Sequence, residues 1–553
     1  MRARFVVVVM AVAAVTAAVI LSSSDESGSG AKPSANALRL RFVYSPEKQA
    51  LIEQLIGKFN SARKKSGGRD VFIDGQVMTS GEAEARISRR RIQPVIWSPA
   101  SSLWGRLLNY EGDPSWVPRT NPSIIRTPLV IAMWEPLARA LGWPRRRIGF
   151  RDVLALATSP RGWAAYGKPQ FGTFKLGHTN PDFSTSGLSA VAAEYYAVTG
   201  KREGLTVADV EDPATRRDIR KIERSIVHYG DTTLFFAEQL AKYGPGYASA
   251  VAMEEVTLVD FNENHRGTKL VAIYPSGGTF YSDDPLITLD APWVTRRQKA
   301  GAAVFAAWLK DNLTPALAAR YGFRPADLSA PVGSPIDAAH GADPAQPRRV
   351  LSLPDPDVLA RVQQAWRQDR KPANVVVVVD TSSSMSEENK IDQARRGLRV
   401  FFSQLSPQDR VGLVSFSDRP STLARLRPFG LTHRRLERLV SELFPNGNTA
   451  LYDATGHGVA MVRARRDPTR INAVVVLSDG EDNASSLGRA ALLESLRLQS
   501  QSEGLAVRVF TIAYGRAADR TALQEIADSS GGKAFAGDET QVADVFNRIS
   551  SYF

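Results

Sequence analysis

The stretch Val375 to Asp380, VVVVVD, constrains the fold of this chain more than any other. Five β-branched residues with no polar interruption suit a strand buried on both faces, and such strands belong to parallel sheets covered by helices on either side. The run then ends in one carboxylate followed by a cluster of hydroxyls, TSSSMS. In open α/β sheets the carboxyl ends of the strands face the ligand crevice, so this strand points its polar end at whatever the domain holds.

The surroundings agree with that reading. From Ala373 onward, apolar runs expected as strands at Arg410 to Phe416, Ala473 to Leu477 and Ala506 to Ala513 alternate with amphipathic stretches. Helices are expected at Arg434 to Leu443, Tyr452 to Arg465 and Leu487 to Gln501. The alternation predicts a doubly wound parallel sheet over residues 373–553. After the hydroxyl cluster, Ile391, Ala394, Leu398, Phe402 and Leu405 mark the buried stripe of a helix.

Asp380, Ser382 and Ser384 taken alone would serve as ordinary helix caps. Two other loops change that. GNTALYDA offers the hydroxyl of Thr449, and VVVLSDG puts Asp479 and Gly480 at the end of another buried strand. Three loops thus bring oxygen donors to one edge of one sheet. Hard oxygen donors without His or Cys select Mg²⁺, with Mn²⁺ or Ca²⁺ as alternatives. Neutral hydroxyls leave such an ion with uncancelled positive charge, which attracts a further carboxylate.

This set, D-x-S-x-S with a later Thr and a later [ST]-D-G, resembles the von Willebrand factor A family and its metal-ion-dependent adhesion site. The resemblance covers about Ala373 to Phe553. It implies a Rossmann-like domain, with Asp380, Ser382, Ser384, Thr449 and Asp479 as metal ligands directly or through water. It also implies a protein partner whose Asp or Glu completes the coordination, and recognition rather than catalysis. Two positions depart from the family pattern: Ser383 stands where a glycine is frequent, and Ser478 where a threonine is usual.

An earlier α/β region runs from Leu38 to Leu328. LRLRFVYSPEK reads as a strand, a turn at Ser45-Pro46 and a helix. Further strands are expected at Asp70 to Asp74, Pro94 to Trp97, Pro128 to Trp134 and Leu270 to Tyr274, and a long helix at Arg297 to Leu309. Four stretches, VYSPEK, FKLGHTNPDFSTSGL, IYPSGGTFYSDDPL and GFRPAD, resemble bacterial extracellular solute-binding proteins of the periplasmic type II class. That resemblance implies two lobes joined by crossing strands, with Arg126 to Trp134 and the strand reaching Tyr274 as the expected crossovers. The cleft between the lobes is expected to be lined from Ser45, Ser98, Ser101, Ser184, Thr185, Ser186 and Tyr274, whose hydroxyls favour a small oxyanion or polar solute. His178 reads as a loop residue bonding locally. Residues 329–372 are expected to form a Pro- and Ala-rich linker followed by a helix at about Pro356 to Gln368.

The start, MRARFVVVVMAVAAVTAAVILSSS, carries two arginines and then an uncharged run from Phe5 to Leu21. At about 1.5 Å per residue the run reaches roughly 25 Å, near the shortest membrane crossing. Two readings stay open: a single-pass anchor with Arg2 and Arg4 inside, which the bulky end of the run favours, and a cleaved secretory signal. In either case the bulk of the chain, beyond a flexible spacer ending near residue 37, lies outside the cytosol of a bacterial cell. The absence of cysteine excludes disulfides, thiolate metal sites, cysteine nucleophiles and a lipid-modified cysteine. The net charge of +13 is spread along the chain without any nucleic-acid motif, so nucleic acid is not an expected partner. No enzyme signature accompanies the fold pattern, and an enzyme is not expected. The function expected is an envelope-anchored, extracytoplasmic binding protein. A solute receptor of a transport or signalling system, or an assembly factor for an envelope enzyme complex, are the alternatives.

Overall fold

The computed structural model describes residues 32–112, 116–500, 505–537 and 542–553. The apolar run Phe5 to Leu21 and most of the spacer lie outside them. Among the described residues no helix is long and apolar enough to cross a membrane.

The first lobe is built on β1 (Leu38–Tyr44), β2 (Lys65–Ser66), β3 (Arg69–Val77) and β4 (Ile96–Ser98), with β10 (Ile287–Thr288) returning late in the chain to pair with β4. The sheet order is β10-β4-β1-β3-β2. The second lobe uses β5 (Ile125–Trp134), β6 (Leu176–His178), β7 (Ala250–Glu254), β8 (Leu270–Ile273), β9 (Tyr281–Ser282) and β11 (Arg324–Pro325). There β5, buried along nearly all its length, pairs antiparallel with β7, β8, β9 and β11. The chain crosses between lobes on entering β5, as expected, and returns through Asp283 to Leu286, a little beyond Tyr274. At that return Asp284 forms a fully buried ion pair with Lys48. Two of the four stretches that carry the solute-binding resemblance are thereby tied to each other.

The second domain is a six-stranded sheet in the order β14-β13-β12-β15-β16-β17. Its strands are β12 (Ala373–Asp380), β13 (Arg410–Phe416), β14 (Pro420–Pro428), β15 (Ile471–Ser478), β16 (Arg508–Tyr514) and β17 (Ala534–Gly537). All neighbouring pairs are parallel except β13–β14. The sheet is therefore mixed rather than wholly parallel. The edge strand PSTLARLRP begins and ends in proline, exposes most of its side chains and bulges against β13, so it lacks the apolar run that marks its neighbours. β12 lies in the middle with every residue buried. Val375, Val377 and Val379 enter the core shared with the first domain, while Val376 and Val378 enter a second core on the opposite face.

The Pro- and Ala-rich segment Ser329 to Pro354 is not a free tether. The amide of Ala272 donates to the Gly341 carbonyl at 2.8 Å, Thr279 and Leu351 pair through their backbones, and Ile336, Ala342 and Leu351 are buried. Gly341 adopts a left-handed φ of +77°, and a Cβ there would stand 2.2 Å from the Leu270 carbonyl oxygen. Backbone pairing rather than apolar periodicity holds this segment, which is why composition alone reads it as a linker. The helix that follows, Pro356–Asp369, packs on Leu103–Glu111 of the first lobe and on Thr185–Thr199 and Pro213–Arg224 of the second. It spans both lobes like a strap.

The two domains are fastened by the C-terminal end of the chain. Asp231, at the end of a second-lobe loop, accepts hydrogen bonds from Tyr552 at 2.8 Å and from Lys533 at 2.9 Å, with Arg548 at 3.6 Å. Burial by itself raises this carboxyl, but the Lys533 and Arg548 charges outweigh it and hold the group down at about 2. Since the carboxyl is depressed in the folded chain, its contribution is present above the ordinary carboxylate range and is lost as pH falls through about 2. Asp231→Asn should therefore lower unfolding stability by about 2 kcal/mol at neutral pH, from the displacement of the carboxyl. Denaturant titrations should show the gap to the parent chain closing as the pH drops below 4; a gap independent of pH would argue against this role.

Candidate metal centre and solute cleft

At the carboxyl edge of the second domain's sheet the five sequence-predicted oxygen donors come together. Ser384 Oγ donates to Asp479 Oδ1 at 2.8 Å and lies 3.0 Å from Ser382 Oγ. The Ser382 amide and the Ser478 hydroxyl bond the two oxygens of Asp380 at 2.8 and 2.6 Å. Both Asp380 and Asp479 are fully buried. Burial pushes the Asp380 carboxyl up to about 6, against the hydrogen bonds from Ser478 and Ser382. Thr449 reaches the same point from its own loop: a Cβ added at Gly480 would stand 3.4 Å from Thr449 Oγ1 and 4.0 Å from Ser384 Oγ. Glycine there keeps side-chain bulk out of the place where the three loops meet.

The two departures from the family pattern have a physical account. Ser383 has no left-handed backbone, and its amide and hydroxyl both donate to the Gly447 carbonyl at 3.0 Å, tying the first loop to the Thr449 loop. Ser478 keeps the hydroxyl that holds Asp380. A further residue, Lys390, went unnoticed in the sequence. Its ammonium donates to Asp479 Oδ2 at 2.8 Å in a nearly buried pair. Glu388 and Asn389, just before it, take left-handed φ values of +49° and +56°, which brings the helix Lys390–Ser403 to its start with Lys390 turned toward the site. The signal was present in the spacing, six residues beyond Ser384, but a search for oxygen donors passes over a cation.

The donor set fits a hard divalent cation: every candidate ligand is an oxygen, none is a His or Cys, and one of the two carboxylates is already neutralised by Lys390. Ser382, Ser384 and Thr449 would hold the ion with Asp380 and Asp479, and the bound ion would supply a Lewis-acidic position for an incoming carboxylate.

The cleft of the first domain is lined by Ser45, Glu47, Thr79, Ser80, Ser184, Thr185, Asp231, Thr233 and Glu254. The helices that begin at Ser80, Thr185 and Thr233 present their N-termini to it. The space between the lobes is about 20 Å³, the room of a single water or small ion. Of the predicted residues, Ser45, Ser184 and Thr185 line this space. Ser45 Oγ donates to Glu47, Ser184 Oγ lies 3.1 Å from Ser186 Oγ, and Thr185 Oγ1 accepts from Trp104 Nε1 at 2.8 Å. Ser98, Ser101 and Ser186 sit behind the lining: Ser98 is buried in β4, Ser101 accepts the Leu103 amide at 3.3 Å, and Ser186 is 2.9 Å from Thr179 Oγ1. Tyr274 stands apart from the cleft, donating to Glu255 and accepting the Asp343 amide at 3.0 Å beside the Arg324–Glu255 pair. The lining carboxylates Glu47, Asp231 and Glu254 were not foreseen. Burial and the neighbouring Glu47 push Glu254 up to about 8, so it carries its proton at neutral pH.

Fold and sites together define a two-lobed α/β ligand-binding scaffold that presents an α/β domain with an oxygen-lined cation centre. A family model for bacterial extracellular solute-binding protein matches residues 40–324, more than half of the chain, and the von Willebrand factor type A domain matches residues 374–548. The chain belongs to the bacterial extracellular solute-binding protein family, and a von Willebrand factor A domain follows its solute-binding domain. Domains of that type carrying this motif bind divalent metal ions. An uncharacterized protein of Mycobacterium tuberculosis is 22% identical over 493 residues, covering 84% of this chain and 68% of its own length. Among solved structures, a von Willebrand factor type A protein from Catenulispora acidiphila is 20% identical with a TM-score of 0.30, covering 33% of this chain and 42% of that one. Proximal thread matrix protein 1 from the mussel byssus, solved with a zinc-occupied metal site, is 18% identical with a TM-score of 0.28, covering 32% and 47%.

Lys390 makes the centre testable. Its positive charge opposes a bound cation while compensating Asp479, so Lys390→Met should tighten Mg²⁺ binding about tenfold and lower the melting temperature of the metal-free chain. Calorimetric titration and thermal unfolding measure the two effects, and unchanged Mg²⁺ affinity would remove Lys390 from the account.

Proposed function

We propose that this chain is an extracytoplasmic, envelope-anchored binding protein that recognises a protein partner through a Mg²⁺-dependent contact at the von Willebrand factor A domain. The observation that carries the reading is the convergence of Asp380, Ser382, Ser384, Thr449 and Asp479 on one sheet edge, with hydroxyls predominating among the donors. Because Lys390 already compensates Asp479, such a set leaves net positive charge around a bound ion and favours an Asp or Glu from outside. The anchor is the apolar run Phe5 to Leu21, which places the binding surface beyond the membrane. Titration of the full chain with Mg²⁺ should give one binding site that Asp380→Ala abolishes. Capture from bacterial membranes should retain a partner with Mg²⁺ and release it with EDTA. Absence of Mg²⁺ binding would sink the reading.

A second reading, a receptor whose solute occupancy is reported to the membrane partner, is favoured by Asp231. This residue lines the cleft, and its carboxylate is held by Lys533 and Tyr552 of the second domain. A ligand that altered Asp231 would loosen or tighten the seat of the metal-binding domain. The carboxylates of Glu47 and Asp231 disfavour an oxyanion and suit a small polar solute that donates hydrogen bonds or carries positive charge. Thermal-shift measurements on the full chain should show stabilisation by polyols or small amines and none by phosphate or molybdate; the opposite order would overturn this ligand class.

A further inference from the structure

A third cluster of ionisable groups lies away from both the cleft and the adhesion-type centre. His178, at the end of β6, meets Glu194 on the helix Thr185–Thr199 and Glu223 on the helix Pro213–Arg224. All three side chains are fully buried, and one potential ligand atom from each lies within 4.8 Å of the others. His178 is thus a member of an internal cluster rather than a loop residue bonding only locally.

The hydrogen bonds orient these groups in a particular way. His178 Nδ1 is 2.8 Å from the Thr179 carbonyl oxygen, which can only accept, so Nδ1 carries a proton. A neutral imidazole then turns the lone pair of Nε2 toward Glu223 Oε1, 3.1 Å away. Lone pair against carboxylate is repulsive unless something positive stands between them. Glu223 is held from its other side, since Oε2 accepts from Tyr229 at 2.5 Å and from Trp366 Nε1 at 3.3 Å. Glu194 is the outlier. Both of its carboxylate oxygens are buried without any hydrogen-bond partner, so nothing offsets their removal from water. The charges that bear on it are those of Glu223 and His178.

We infer that His178, Glu194 and Glu223 form a second, structural metal site that takes a divalent transition ion of the Zn²⁺ or Mn²⁺ class. Two carboxylates and a neutral imidazole carry two negative charges, which one divalent ion cancels. One nitrogen and two oxygen ligands suit a borderline ion better than Mg²⁺ or Ca²⁺. The Nδ1 bond to a backbone carbonyl and the bonds to Glu223 Oε2 are the outer contacts that hold metal-ligating His and Glu side chains in place. The competing state neutralises the cluster with two protons. Burial lowers His178, but the Glu223 carboxylate outweighs it and holds the imidazole up at about 9, while burial raises Glu194. That state leaves the Glu194 oxygens without partners, whereas an ion satisfies them.

The position gives the ion a consequence. Tyr229, which bonds Glu223, accepts the Lys371 amide at 2.8 Å, and Lys371 leads directly into β12. Trp366, which also bonds Glu223, sits on the helix that straps the two lobes. An ion here would stiffen the joint from which the adhesion-type centre projects. The site is independent of the function proposed above.

The test uses the full chain without an affinity tag, carrying Asp380→Ala to disable the first centre and expressed in minimal medium supplemented with Zn²⁺ or Mn²⁺. After dialysis against EDTA, metal analysis by mass spectrometry should find one ion per chain, because the site is closed to solvent. Glu194→Gln in the same background should lose that ion while keeping the far-ultraviolet circular dichroism. Should the glutamine variant fail to fold, X-ray absorption of the Zn²⁺-loaded parent decides: one imidazole with oxygen ligands supports the site, and two or more imidazoles overturn it. A folded chain holding no stoichiometric Zn²⁺ or Mn²⁺, or undiminished metal in the folded Glu194→Gln variant, overturns it as well.

Discussion

The burial of β12 on both faces is the constraint on which the rest of the second domain depends. Each valine of the run removes a side chain from water, worth about 1.5 to 3 kcal/mol, and alternate valines do so on opposite sides of the sheet. Helices must therefore cover both faces, and the polar end of the strand is held rigidly at the edge where Asp380 stands. One of the two cores does not stop at the domain boundary. It runs through Trp366, Tyr552 and Phe553 into the second lobe of the first domain. The von Willebrand factor A domain is seated on the solute-binding domain rather than hung from it.

Buried charge is placed at the joints. Lys48–Asp284 stands where the chain returns between lobes, Arg324–Glu255 behind the crossing strands, Asp231 with Lys533 between the domains, and Lys390–Asp479 beneath the metal loops. Buried pairs add little net stability because desolvation offsets their attraction, but separating one is costly. Each therefore favours one arrangement of the parts it joins. The cleft and the domain seam share Asp231, so the first domain cannot rearrange that loop without disturbing the second.

Much of this is legible in the sequence alone. The strands around Val375 and Val474 announce themselves as unbroken apolar runs, and the polar loops that follow those two strands had to lie at one sheet edge. The parts that were not legible share a cause. β14 is an exposed edge strand rich in arginine, and the segment from Ser329 is held by backbone hydrogen bonds, so neither writes a hydrophobic period into the sequence. Lys390, Asp231 and Glu194 are ordinary charged residues at ordinary helical or loop positions. Their meaning comes from partners 89 residues away, 302 residues away, or, for Glu194, from having no hydrogen-bond partner at all.

The sequence by itself determined which elements form and which residues bear the chemistry of the adhesion-type centre, because hydrophobic period and loop chemistry act over a few residues. Only the tertiary structure decided how the domains are seated, which hydroxyls line the cleft, and that carboxylates share it with them. It alone brought His178, Glu194 and Glu223 into one buried cluster. Those outcomes rest on Coulomb interactions and desolvation between groups distant in the chain, and their strength depends on a burial that no local pattern encodes.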